Sequence, residues 1–156
     1  MPGLNHQIIY IENEESLDED WKNIKYNPLS INGINILEEN YFEIYDDTLR
    51  WFIDIFNWGE MYNPAKKELT NGFCYYGKTI IKKHNMDKLD KIINALIDLF
   101  QNAPLEIILT GNYCINDECY EKVKIDKNKI MDKLIKFKKL IEKVINNGGY
   151  LLHCGI

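Results

Sequence analysis

The sequence predicts a single α+β domain spanning residues 1–156, with a mixed or antiparallel sheet covered by about three helices. Three observations predict it. Two long segments carry apolar residues at the three-and-four spacing of amphipathic helices. Short β-branched or apolar runs of strand length alternate with them. No internal repeat or linker divides the 156 residues, an ordinary length for one domain.

The first strand is His6–Ile11, a β-branched run that ends in the acidic stretch Glu12–Asp20. Pro28 and the Asn32-Gly33 pair then mark loops or a turn before Ile34-Asn35-Ile36-Leu37. From Asp47 the spacing becomes helical, with Leu49, Phe52, Ile53 and Phe56 on one face and Asp46 or Asp47 placed to cap. This helix stops near Trp58-Gly59, and residues 60–72, with Pro64 and Gly72, read as a loop. Phe73–Ile81 reads as a strand or a tight pair of strands, interrupted at Gly77.

The second half is more regular. Asn85 is placed to cap a helix in which Leu89, Ile92, Ile93, Leu96, Ile97 and Phe100 repeat at helical spacing, and Asn102-Ala103-Pro104 ends it. Leu105–Leu109 has strand length, and Leu109-Thr110-Gly111-Asn112 reads as a strand end or bulge. Tyr113–Ile125 suits a hairpin turning at Asn116-Asp117. Asp126 caps the last helix, which buries Ile130, Leu134, Phe137, Ile141 and Val144 and ends at Asn147-Gly148-Gly149. Tyr150–Cys154 is the final strand.

With 46% hydrophobic and 28% charged residues, the composition is that of a folded chain. No apolar run approaches the ~18 residues of a membrane span, and no secretory signal opens the chain. Four sparse cysteines suit a reducing compartment, so a cytoplasmic protein is expected. Charge is unevenly spread: residues 1–60 carry a balance of −10 and residues 61–156 a balance of +5. An acidic half attracts cationic partners.

Candidate chemistry divides three ways. Cys114, Cys119, His153 and Cys154 include the residue types of a zinc site, but the C-x4-C gap exceeds the spacing of tight knuckles. The same cysteines could serve a thiol enzyme with His84 or His153 as base, though a hydrogen-bonded structural histidine explains His153 equally. Lys129, Lys133, Lys136, Lys139 and Lys143 on the last helix could meet phosphate, yet they are equally a solvated face. The single arginine, Arg50, argues against nucleic-acid readout. No phosphate-binding, dinucleotide, nucleophile-elbow or zinc-protease motif is present, and no cofactor is implied.

The stronger lead is aromatic and acidic. Trp51, Trp58 and Tyr62 interleave with Glu39, Glu43, Asp46, Asp47 and Asp54. Tryptophan and tyrosine anchor protein interfaces, while flanking carboxylates steer a basic partner. A half-buried core rim would account for the two tryptophans equally well.

Five strings carry a resemblance: Gly77-Lys78-Thr79-Ile80-Ile81; Leu89-x2-Ile92-Ile93-x2-Leu96; Ala103-Pro104-Leu105-Glu106-Ile107; Leu109-Thr110-Gly111-Asn112; and the ending Leu152-His153-Cys154-Gly155-Ile156. Together they resemble the small immunity proteins of bacterial polymorphic-toxin and contact-dependent growth inhibition systems, over roughly 80 residues. The resemblance implies a non-enzymatic cytoplasmic protein that binds a cognate toxin C-terminal domain and blocks its active site or substrate surface. From charge, a cationic nuclease is the expected toxin, met by Glu39, Glu43, Asp46, Asp47, Trp51, Asp54, Trp58 and Tyr62. A small metal- or cysteine-dependent enzyme and a lysine-face nucleic-acid adaptor are the alternatives.

Overall fold

A computed structural model describes residues 4–13, 23–26 and 28–156; the acidic stretch beyond Asn13 lies outside them. In chain order the strands and helices are β1 (Asn5–Ile11), β2 (Ile24–Tyr26), β3 (Leu29–Ile31), β4 (Ile34–Asn35), β5 (Tyr41–Tyr45), α1 (Asp46–Leu49), α2 (Ile53–Phe56), β6 (Glu60–Asn63) and β7 (Glu68–Asn71). They continue with β8 (Lys78–Lys82), α3 (Met86–Gln101), β9 (Glu106–Cys114), β10 (Cys119–Asp126), α4 (Lys127–Asn147) and β11 (Tyr150–Cys154). The α+β class stands, and every pairing among the described strands is antiparallel.

The main sheet has the order β5-β1-β11-β8-β6-β7. The last strand of the chain is therefore interior, between β1 and β8, and all five of its residues are buried. A strand covered on both faces needs a continuous apolar run rather than an alternating one, which is what Tyr150-Leu151-Leu152 supplies.

Helices cover one face only. Ile8, Tyr10, Phe42, Ile44, Ile81 and Leu151 meet the apolar stripes of α3 and α4 there, including Ile93, Phe137, Ile141 and Val144. Each large apolar side chain removed from water in this way contributes roughly 1.5–3 kcal/mol. On the other face Ile9, Ile80, Tyr150, Leu152 and Cys154 pack against Leu29 and Ile31 of the small β2-β3-β4 sheet. This third layer is what the sequence-based picture of a helix-covered sheet lacked. Its β3-β4 turn falls at Asn32-Gly33 as expected, with φ of 52° and 81°.

Asp126 caps α4 as expected, accepting from the Asn128 and Lys129 amides. At the other end Gly149 is indispensable: its φ is +83°, and a Cβ there would lie 2.2 Å from the Ile11 carbonyl oxygen. The corner joining α4 to the central strand therefore presses backbone against backbone.

Three expectations are corrected. The helix from Asp47 to Trp58 is two single turns, α1 and α2, broken where Phe52 adopts φ −123°, ψ 7°. The break lets Phe52 bury against Phe56 and Phe100, with ring centroids 6.5 and 6.0 Å away, and the β-branched Ile53 and Ile55 give a continuous helix little support. Residues 60–72 are not loop but the hairpin β6-β7, whose turn is organised by the Asn63 side chain accepting from the Ala65 and Lys66 amides. Asn85 precedes α3, but its side chain donates to the Glu60 carbonyl across the fold instead of capping.

Candidate functional site

Asp46 opens α1 but does not cap it, because its carboxylate is drawn inward. Oδ1 accepts from His6 Nε2 at 2.9 Å and from the Tyr75 hydroxyl. His6 Nδ1 in turn lies 3.0 Å from His153 Nε2, and the two rings are stacked. An ionised Asp46 only accepts, so His6 donates from Nε2; with a neutral His6, Nδ1 accepts and His153 donates from Nε2. His153 Nδ1 is then a bare acceptor without a protein partner, the less costly kind of orphan.

Both histidines are fully buried. Burial, and then the neighbouring His6, push the His153 pKa down to about 3. Burial, together with the hydrogen bond to Asp46, raises the Tyr75 phenol to about 12.

An acid–base catalyst must reach the proton it moves. This relay runs inward from a half-buried tyrosine to a sealed ring packed on Phe73, 4.4 Å away between centroids. Its effect is mechanical: it ties the start of α1 to β1 and β11. Asp46, expected as a partner contact, commits Oδ1 to its two internal bonds, with His6 and Tyr75. The signal for it was long-range, since His6 and His153 meet only through the β1-β11 register that pairs Ile8 with His153.

Asp47, the next residue, stays outside. It lines a cleft of about 200 Å³ with Arg50, Trp51, Thr110, Gly111, Asn112, Glu121 and Val123. The floor is a β-bulge, as expected of Thr110-Gly111-Asn112: Thr110 pairs with Lys122 and Tyr113 with Tyr120, so two residues oppose Glu121 alone. A Cβ on Gly111 would sit 2.8 Å from the Glu121 Cβ, so only glycine lets the hairpin strands close here. Arg50 Nη2 donates to Asn112 Oδ1 at 3.4 Å, and Glu121 accepts from the Asn112 amide at 3.3 Å. The charge of Asp47, and then burial, raise the Tyr45 phenol above its ordinary value.

The structure brings only part of the expected aromatic and acidic set together. Asp47 and Trp51 share the cleft, and Asp54 and Trp58 follow as exposed residues, Trp58 with 67% of its surface open. Glu39 is exposed but paired with Lys143 of α4 at 3.3 Å. Glu43, on edge strand β5, accepts from Asn5 at 3.3 Å. Tyr62 is on the other side of the sheet: Met61 takes the helix-side core, so alternation sends Tyr62 to the opposite face, under Lys82 Nζ at 4.8 Å.

The cysteines do not converge. Cys114 and Cys119 are directly opposed at the tip of the β9-β10 hairpin, while His153 and Cys154 lie in the buried central strand on opposite faces. Among the described residues no three His, Cys, Asp or Glu side chains are grouped to hold a metal ion. Likewise no described helix is long and apolar enough to cross a membrane. Of the lysine face, Lys143 is bound to Glu39 and Asn40, and Lys136 pairs with Asp132 at 3.4 Å. Lys129 and Lys133 instead join Lys124 around a second cleft, of about 390 Å³, beside Thr48 and Ile130.

No family model matches this sequence, and no curated protein or solved structure matches it either.

Proposed function

We propose that the chain is an immunity protein: it binds the toxic C-terminal domain of a cognate polymorphic toxin, a cationic nuclease, and blocks its active site or substrate surface. One observation carries the reading. Trp51, Asp54 and Trp58 are exposed, and Asp47 half-buried, along two short helical turns whose start is anchored into the sheet by the Asp46-His6-His153 relay. A rigid base under exposed tryptophans is what an interface anchor needs, because little conformational freedom is then lost on docking. Two carboxylates, Asp47 and Glu121, border the cleft beside Trp51 and suit a basic side chain laid on the indole. The acidic first 60 residues add steering of a basic partner.

The test is genetic and biochemical. The C-terminal domain encoded immediately upstream is co-expressed with this chain. Survival only when both are present, with co-purification, is the expected result. A neighbour that is neither toxic nor bound would remove the reading.

The second cleft favours one alternative. Lys124, Lys129 and Lys133 line it together with Asp126, a net positive lining that suits a polyanion-binding adaptor. Retention on a phosphate-bearing resin at moderate salt would support that reading, and flow-through would dismiss it.

A further inference from the structure

We propose that Cys114 and Cys119 form a reversible redox clip, closing a cross-strand disulfide at the tip of the β9-β10 hairpin on reaction with a low-molecular-weight disulfide. This rests on the hairpin's register and stands apart from the toxin-binding reading.

The two residues are the last partners before the turn, Cys114 ending β9 and Cys119 opening β10. Both are free thiols. Directly opposed residues of an antiparallel pair have Cα atoms roughly 4.5–5.5 Å apart, inside the ~4.4–6.8 Å that a disulfide spans. Closure therefore needs side-chain rotation and no backbone rearrangement. Neither Cys74 nor Cys154 has such a partner among the described cysteine pairings: Cys74 accepts from Asn63, and Cys154 is buried opposite Gln7 and Lys78.

The surroundings divide the chemistry between the two thiols. Cys119 is exposed and meets the oxidant first. Cys114 is half-buried; burial first, then the nearby Glu121 carboxylate and Cys119, raise its pKa and keep it protonated. The Cys119 thiolate attacks one sulfur of the small disulfide, giving a mixed disulfide and expelling one small thiolate. Cys114 then loses its proton, and its sulfur displaces the second small thiolate from Cys119. Two electrons pass to the small disulfide, which leaves as two thiols.

Closure reaches beyond the tip. The adjacent Tyr113 and Tyr120, both exposed and with ring centroids 5.1 Å apart, become pinned. Glu121, a wall of the 200 Å³ cleft, is two residues along β10 from Cys119, so closure fixes the strand that carries it.

The experiment equilibrates the purified full chain in mixtures of reduced and oxidised glutathione, quenches with acid, alkylates free thiols and maps the peptides. The expected result is one two-electron transition that removes alkylation at Cys114 and Cys119 together and yields a peptide linking them. Cys154 reports on unfolding: in the folded chain it should alkylate at least about tenfold more slowly than Cys119. Cys119→Ser should abolish the link and leave Cys114 alkylatable. The proposal is overturned by four free thiols in the most oxidising mixture. A persistent glutathione adduct on Cys119, a link between two chains, or oxidation that proceeds only as Cys154 becomes reactive would overturn it equally.

Discussion

Acid should weaken this fold through His153. Its imidazole is fully buried in the central strand, next to His6, and stays neutral down to about pH 3. In the unfolded chain a histidine takes a proton near pH 6.5. Between those limits the unfolded state binds one more proton than the native state, so stability rises with pH and is lost as pH falls from about 6.5. The slope is roughly 1.4 kcal/mol per pH unit. From pH 7.5 to 4.5 the contribution amounts to roughly 2–3 kcal/mol, a large share of an ordinary domain's stability. His153→Leu removes this proton linkage, and at neutral pH costs about 1–3 kcal/mol because His6 Nδ1 loses its partner. Urea unfolding of both proteins at pH 7.5 and 4.5 makes the comparison, and carboxylates that titrate alike in both cancel. The signed stability gap, wild type minus variant, should fall by roughly 2–3 kcal/mol at pH 4.5, to near zero or below. A gap of unchanged size at the two pH values would refute the relay as drawn, with His153 as its sealed, neutral end.

Two further outcomes test the frame around the site. Gly149→Ala should cost more than the ~1 kcal/mol of an average point substitution, because the new Cβ meets the Ile11 carbonyl at 2.2 Å on a backbone of positive φ; thermal unfolding near wild type would contradict that corner. Asp126→Ala should remove about 1 kcal/mol by leaving the Asn128 and Lys129 amides without their acceptor, read as a lower urea midpoint at unchanged slope.

How much of this was legible in the sequence depended on the range of the interaction. Helices α3 and α4 declare themselves through local spacing, and the Asp126 cap and the Gly148-Gly149 stop lie within a few residues of the ends they govern. The hairpin turn after Cys114 and the bulge at Gly111 also left local marks. The helical spacing of Leu49, Phe52 and Phe56 misled, because a buried apolar triplet shows the same period whether the backbone is one helix or two turns. The β6-β7 hairpin was hidden by its composition: Glu68-Leu69-Thr70-Asn71 is an exposed edge strand without a second apolar face to advertise it. As for the site, Trp51 and Trp58 are exposed rather than a buried core rim, while Asp47 is half-buried. The inward turn of Asp46 and the sheet that separates Tyr62 from the tryptophans depend on strand order, which no local pattern records.

The most direct test of the partner-binding account is the salt dependence of association between this chain and the purified C-terminal domain encoded upstream. Wild type, Asp47→Lys and Trp51→Ala should be measured by stopped-flow across a range of ionic strength. Asp47→Lys should slow association and flatten its dependence on salt, as expected of a steering charge. Trp51→Ala should instead speed dissociation, with a loss of roughly 2 kcal/mol or more in affinity. A complex whose rates are indifferent to both substitutions, or no complex at all, would contradict the assignment of this face.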